Sequence, residues 1–189
     1  MAAHLNRRGL LAALCAAVLA ACAAGPAREA EQQPVAEPPA RFFLVRHAEK
    51  DTGNDPGLTA AGAARAAALA ERLEGEGVTH IWSTATRRTQ ETARPLAGAL
   101  GLGMQTYDAS DLGAFARQLE GIAGVHLVIG HSNTTGQLAG QLGADPGAPI
   151  EDGWEFDRLY VISLDQAGAI GSRIERYGAP SLASAGAAP

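Results

Sequence analysis

Apolar runs and segments of helical period alternate along most of this chain, and that alternation restricts what it can fold into. "FFLV" at Phe42–Val45, "HIW" at His80–Trp82, Gly103–Tyr107 and "VHLVI" at Val125–Ile129 read as short strands. Between them, Ala66, Leu69, Ala70 and Leu73 repeat at helical spacing behind a capping Thr59, with Gly75 and Gly77 to close the helix. A second helix is expected over Thr86–Leu100, kinked at Pro95, a third over Asp111–Leu119, and a short one over about Asn133–Leu142. Leu159–Leu164 and Ala169–Arg176, joined by Asp165-Gln166-Ala167-Gly168, predict a terminal hairpin. Strand-helix repetition of this kind predicts an α/β fold, a three-layer α/β/α sandwich around a mostly parallel mixed sheet with a C-terminal hairpin.

The two ends do not join in that pattern. Arg7-Arg8 followed by the apolar run Gly9–Ala21 reads as an export signal, too short to span a membrane as a helix. It ends in Leu19-Ala20-Ala21-Cys22, which resembles a bacterial lipoprotein box with Cys22 as the lipidated residue. Residues 1–21 are then a signal peptide, by the general or the twin-arginine route, and 22–40 are the lipidated Cys and a flexible tether. Pro- and Glu-rich, that tether reaches roughly 50 Å if it runs as polyproline. Processing at Cys22 removes Cys15, so the mature chain has no disulfide partner. The expected location is outside the cytoplasm, on the periplasmic or cell-surface side of a bacterial membrane, held by the lipid alone. Residues 178–189, "GAPSLASAGAAP", read as a disordered tail. A single domain is left at residues 41–177, long enough for a real core.

Charge excludes one class of partner. Without Arg7 and Arg8, 13 cations face 20 acids, a formal charge of −7, and no basic face interleaved with aromatics suggests nucleic acid. No His/Cys/Asp cluster has metal-ligand spacing, and no cofactor is implied.

The chemistry gathers where strands stop. "FFLV" runs into Arg46-His47 and "VHLVIG" into His131-Ser132-Asn133. Ligand sites of parallel sheets lie at the carboxyl ends of strands, so both imidazoles belong at one rim. Arg87 and Arg88 fall in the first turn of a predicted helix, where cations oppose the helix dipole unless an anion binds between them.

Arg46-His47-Ala48-Glu49, Leu58-Thr59-x-x-Gly62, Thr84-x-x-x-Arg88-x-x-x-Thr92-Ala93 and Gly130-His131-Ser132 together resemble the histidine phosphatase superfamily, the phosphoglycerate-mutase-like fold with the "RHG" motif. The resemblance implies a phosphoric monoester hydrolase in which His47 attacks phosphorus and becomes phosphohistidine, with Arg46, Arg88 and His131 holding the phosphoryl oxygens and no metal required. Arg suits that task because its planar fork stays charged. Phosphorylated small molecules and phosphoproteins are both open as substrates. Here Ala48 stands where the family has Gly, and Arg88 rather than Arg87 is in register with Thr92-Ala93. No Glu occupies the stretch where many members keep a general acid; Asp108 is the candidate, since Asp111 suits a helix cap. His126 and His80 read as structural or partly exposed, Trp82 and Trp154 as packing. Glu151, Asp152 and Glu155 read as a solvated acidic loop lying away from a phosphate site.

Two other readings compete. A non-catalytic lipoprotein would use the same residues to bind a phosphorylated ligand. A serine hydrolase would use Ser132 in Gly130-His131-Ser132-Asn133-Thr134, but β-branched Thr134 crowds the turn such an elbow needs. A mutase is disfavoured because the 101–125 segment is too short to close over an intermediate.

Overall fold

The computed structural model describes residues 40–181. The signal peptide, Cys22 and the tether as far as residue 39 lie outside the described residues, as does 182–189 of the tail. Six strands and four helices follow in order: β1 (Ala40–Arg46), α1 (Ala60–Leu73), a 3-10 turn (Glu74–Glu76), β2 (His80–Ser83), α2 (Arg87–Leu100), β3 (Met104–Thr106), α3 (Leu112–Glu120), β4 (Gly124–Gly130), α4 (Thr135–Gln141), β5 (Arg158–Leu164) and β6 (Ile170–Arg176). They form one mixed sheet in the order β3-β2-β4-β1-β5-β6. The first four strands are parallel; β5 runs antiparallel to β1, and β6 to β5. The expected sandwich and hairpin are both present.

The apolar run of β1 follows from its place between β4 and β5, buried on both faces. Phe42 and Leu44 point into a core shared with Trp82, Phe115, Leu138 and Tyr160. Phe43 and Val45 point into a second core with Leu69, Leu96, Leu127 and Leu159. Each such side chain contributes roughly 1.5–3 kcal/mol against exposure. Helices α3 and α4 cover the first core, α1 and α2 the second. On the far edge, β6 carries Arg173, Glu175 and Arg176 and is largely exposed, which discourages pairing with another chain.

Thr59 caps α1 through its Oγ1, which accepts from Gly62 N at 3.1 Å, and Asp111 caps α3 through Oδ1. Gly77 ends the first helical segment in the left-handed region at φ 72°. Helix α2 continues through Pro95 to Leu100. Residues 178–181, expected as the start of a loose tail, are tied down instead. Arg65 donates to the carbonyl of Ala179 at 2.8 Å, and Ser181 N donates to Asp157 Oδ2 at 3.0 Å. Among the described residues, no helix is long and apolar enough to cross a membrane.

Candidate active site

Strand register brings the two histidines together. Arg46 pairs with Gly130 across β1 and β4, so the residues that follow leave the sheet side by side, and His47 N donates to the Gly130 carbonyl at 3.0 Å. The rings of His47 and His131 lie edge to face, 5.5 Å between centroids. Arg88 reaches them from the first turn of α2, with Nη2 3.4 Å from His131 Nδ1. These three side chains, with Lys50, Ser132, Asn133 and Asp152, line an open hollow of about 400 Å³.

Hydrogen bonds set the protonation of each ring. His47 is 3% exposed, and its Nδ1 lies 2.8 Å from the Ala48 carbonyl oxygen. An oxygen there can only accept, so Nδ1 carries the proton and Nε2 keeps its lone pair. Burial, opposed by that hydrogen bond and seconded by the charges of Arg46 and Arg88, pushes the His47 pKa down to about 3. His131 is pushed down to about 4, by burial first and then by Arg88 and Arg46. Arg88 can only donate, so His131 Nδ1 accepts and Nε2–H faces Thr84 Oγ1 at 3.1 Å. Both imidazoles are therefore neutral at pH 7.

The supporting contacts explain the motif residues. Thr92 Oγ1 accepts from Ala48 N at 3.0 Å and donates to the Arg88 carbonyl at 2.8 Å, locking α2 to the turn after His47. Among the described residues only Asp55 and glycines have positive φ, so the turn at Ala48 does not need a glycine. Gly62 packs so closely on Glu49 that a Cβ would collide with its carbonyl oxygen. Arg65 grips the Glu49 carboxylate from Nε and Nη2 at 3.0 and 2.7 Å. Arg88 is the arginine at the site. Arg87 is exposed and turned to Glu91 Oε1 at 2.7 Å.

Three expectations need correction. Arg46 does not line the hollow. Its Nη1 donates to the carbonyls of Glu151 and Glu155, both at 3.1 Å, and Nη2 to the carbonyl and carboxylate of Asp152 at 2.7 and 2.8 Å. The guanidinium stacks on Phe156 at 4.1 Å, leaving only Nε buried and without a partner. A buried cation needs acceptors, and the 151–156 loop supplies them. For the same reason that loop does not lie away from the site, although Glu151 and Asp152 are exposed as expected. Asp152 sits at the rim of the hollow, bonded also to Ser132 Oγ at 2.5 Å, which with Arg46 holds its carboxyl below the usual range. Glu155 is 2% exposed and pairs with Arg158 and Arg176. The third correction is Asp108, the acid candidate, which does not line the hollow. It is exposed on the loop after β3, where Ser110 N donates to it at 2.8 Å and keeps it ionised. The Glu155-x-x-Arg158 spacing was the available hint that this loop is anchored; nothing in the sequence places Asp152 opposite Arg46. His126 is structural as expected, accepting from Trp82 Nε1 at 3.1 Å.

Residues 42–111 match the sequence profile of the "Histidine phosphatase superfamily (branch 1)". The protein histidine phosphatase SixA, solved with tungstate, superposes with a TM-score of 0.57 at 21% identity, over 72% of this chain and 96% of that one. The domain has the histidine phosphatase fold. A putative alpha-ribazole-5'-P phosphatase from Escherichia coli shares the fold at a TM-score of 0.58 and 16% identity, covering 74% of this chain and 97% of its own. By sequence, probable phosphoglycerate mutases GpmB of Yersinia enterocolitica and Yersinia pestis are 39% identical over 74 residues, 35% of this chain. That match spans about a third, 34%, of the relatives' own length. The matched segment contributes His47, Arg88 and Thr92, whereas His131 and the Asp152 loop lie beyond it.

Proposed function

We propose that the domain hydrolyses phosphoric monoesters through a phosphohistidine on His47. The observation that carries this reading is the state of His47: neutral, buried, its Nδ1 proton held by Ala48, and its other nitrogen left as a free base in the hollow that Arg88 and His131 share. In the first step Nε2 forms a bond to phosphorus while the ester P–O bond breaks, and the leaving oxygen takes a proton from solvent. In the second step water attacks phosphorus, the N–P bond breaks, and inorganic phosphate leaves. Charge on the transferring group spreads over three oxygens. Arg88, Lys50 and the His131 ring edge surround the space for them. Without an acid in the hollow other than ionised Asp152, substrates with good leaving groups are favoured.

The serine hydrolase reading loses its general base. Ser132 Oγ donates to Asp152, while the ring nitrogens of His131 are turned to Thr84 and Arg88. Hydrolysis is preferred to mutase action because the β3–β4 connection holds only the nine-residue α3 and offers little to close over an intermediate. Export and lipidation at Cys22, read from the sequence, belong to the same proposal; loss of lipid incorporation on Cys22→Ser tests them.

The decisive experiment incubates the full chain with a phosphomonoester panel beside His47→Ala. Turnover in the first protein alone, with acid-labile phosphate trapped on His47, is the expected result. Equal turnover in both removes His47 from the mechanism, and tight phosphate binding without turnover in either supports the binding-protein reading instead.

A further inference from the structure

Beside the phosphate hollow runs a second depression of about 370 Å³, between α4 and the loop 146–150. Ser132 and Asn133 line both, so the two are direct neighbours. We infer that this groove is the leaving-group subsite and that it takes an apolar alkyl or aryl group esterified to the phosphate. The inference rests on the phosphatase reading above and adds the substrate class to it.

Three features argue for a built site. The floor is open because α4 turns Gly136 and Gly140 toward it; a Cβ at Gly136 would fill the space down to Tyr160 Oη, 3.3 Å away, and Pro146 Cβ at 3.8 Å. The opposite wall is apolar and stiff, "PGAPI" at 146–150, with two prolines that fix the backbone. That wall is also bolted in place, since Tyr160 Oη donates to the Pro146 carbonyl at 2.8 Å and Arg158 Nη1 to the Ala148 carbonyl at 2.6 Å. Preformed, mainly apolar clefts of this size with a few polar groups suit small organic ligands. Along this groove Gln137 adds one polar side chain to the apolar walls. One end adjoins the phosphate hollow. The organic part of an ester held at His47 must leave the hollow in some direction. Toward Asp152 it would meet a carboxylate; toward Ser132 and Asn133 it enters a surface that gains by losing water.

The test compares binding of hexylphosphonate and methylphosphonate to the full chain by calorimetry. Neither can be hydrolysed, so the readout is independent of turnover. Each fully buried methylene is worth about fourfold in affinity, so hexylphosphonate should bind at least about tenfold tighter. Gly136→Val fills the floor and should bring the ratio close to one. Ala148→Asp, on an exposed wall residue that does not threaten folding, should lower the same ratio, methylphosphonate serving as the control for charge repulsion. Equal affinities in the unaltered chain, no binding of either, or a preference that survives both substitutions would overturn the inference. Hydrolysis of hexyl phosphate and glycerol phosphate at equal kcat/KM would also count against the subsite while leaving the phosphatase reading intact. A retained hexyl preference with no turnover of any ester does the reverse.

Discussion

At the residue scale, the site depends on which atoms are free. Arg88 and Arg87 are neighbours with the same charge, yet only Arg88 faces His131, while Arg87 is exposed and paired with Glu91. Arg88→Lys keeps the charge and loses the planar fork, so kcat/KM for a phosphomonoester should fall by roughly 10²–10³-fold. Arg87→Ala should stay within about threefold, because an exposed i,i+4 pair contributes little. Steady-state kinetics on the two variants checks both, and equal losses would place the phosphate elsewhere. Asp108→Asn should likewise leave kcat/KM within about threefold, since that carboxylate faces solvent and Ser110; a hundredfold loss would restore it as the acid. Most of this constellation was readable beforehand. His47, His131 and Arg88 stand at strand and helix ends, where backbone geometry alone decides what a side chain reaches. Arg46 and Asp152 were misread because their positions depend on the 151–156 loop, whose course is set by a contact between residues 105 or more apart in sequence. Local pattern carries no trace of such a pairing.

At the scale of elements, the placement of α1 and α2 was legible from periodicity, caps and glycines, because these are local signals. How closely the helices approach the active-site turn was not. Gly62 shows the difference, since a glycine two residues inside a helix reads as a weakness in the sequence. Its reason is tertiary: the Glu49 carbonyl fills the space where a Cβ would go. Gly98 sits in α2 with nothing within 4 Å of a built Cβ. The same substitution should therefore have opposite signs at the two sites. Gly98→Ala should raise stability by up to about 1 kcal/mol through helix propensity and a less flexible unfolded chain. Gly62→Ala gains that term and loses more to a clash with backbone that cannot turn aside, for a net loss of about 1–2 kcal/mol. Urea midpoints at constant m-value measure the difference. Two stabilised variants would mean that α1 stands too far from Glu49 for its carbonyl to meet a Cβ at position 62.

For the whole molecule, the buried histidines couple the site to stability against acid. His47 is held near 3, and His126 and His131 near 4, each mainly by burial and each below the ordinary value of 6.5. Geometry gives the same direction independently. A proton on His126 Nδ1 would displace the Trp82 N–H, and one on His131 Nδ1 would face the Arg88 guanidinium. Between pH 6.5 and about 4 the unfolded chain thus binds protons that the folded chain refuses. A group whose folded pKa is depressed contributes stability that is complete above its unfolded pKa and declines as pH falls toward the folded one. Stability should accordingly be level above pH 7 and fall steeply below 6.5. The limiting slope corresponds to uptake of three protons on unfolding, about 4 kcal/mol per pH unit. Salt-bridged Glu155 and Asp157, whose pKa values are also lowered, extend the decline below pH 4. Urea unfolding in half-unit steps from pH 8 to 4.5 reads the proton uptake directly. His126 lies away from the hollow, so His126→Gln should reduce that uptake by one proton while phosphonate affinity at pH 7 stays unchanged. A slope below one proton across this interval would mean that the imidazoles titrate in the folded protein, and a nucleophile protonated near neutrality would then have to shed its proton before each turnover.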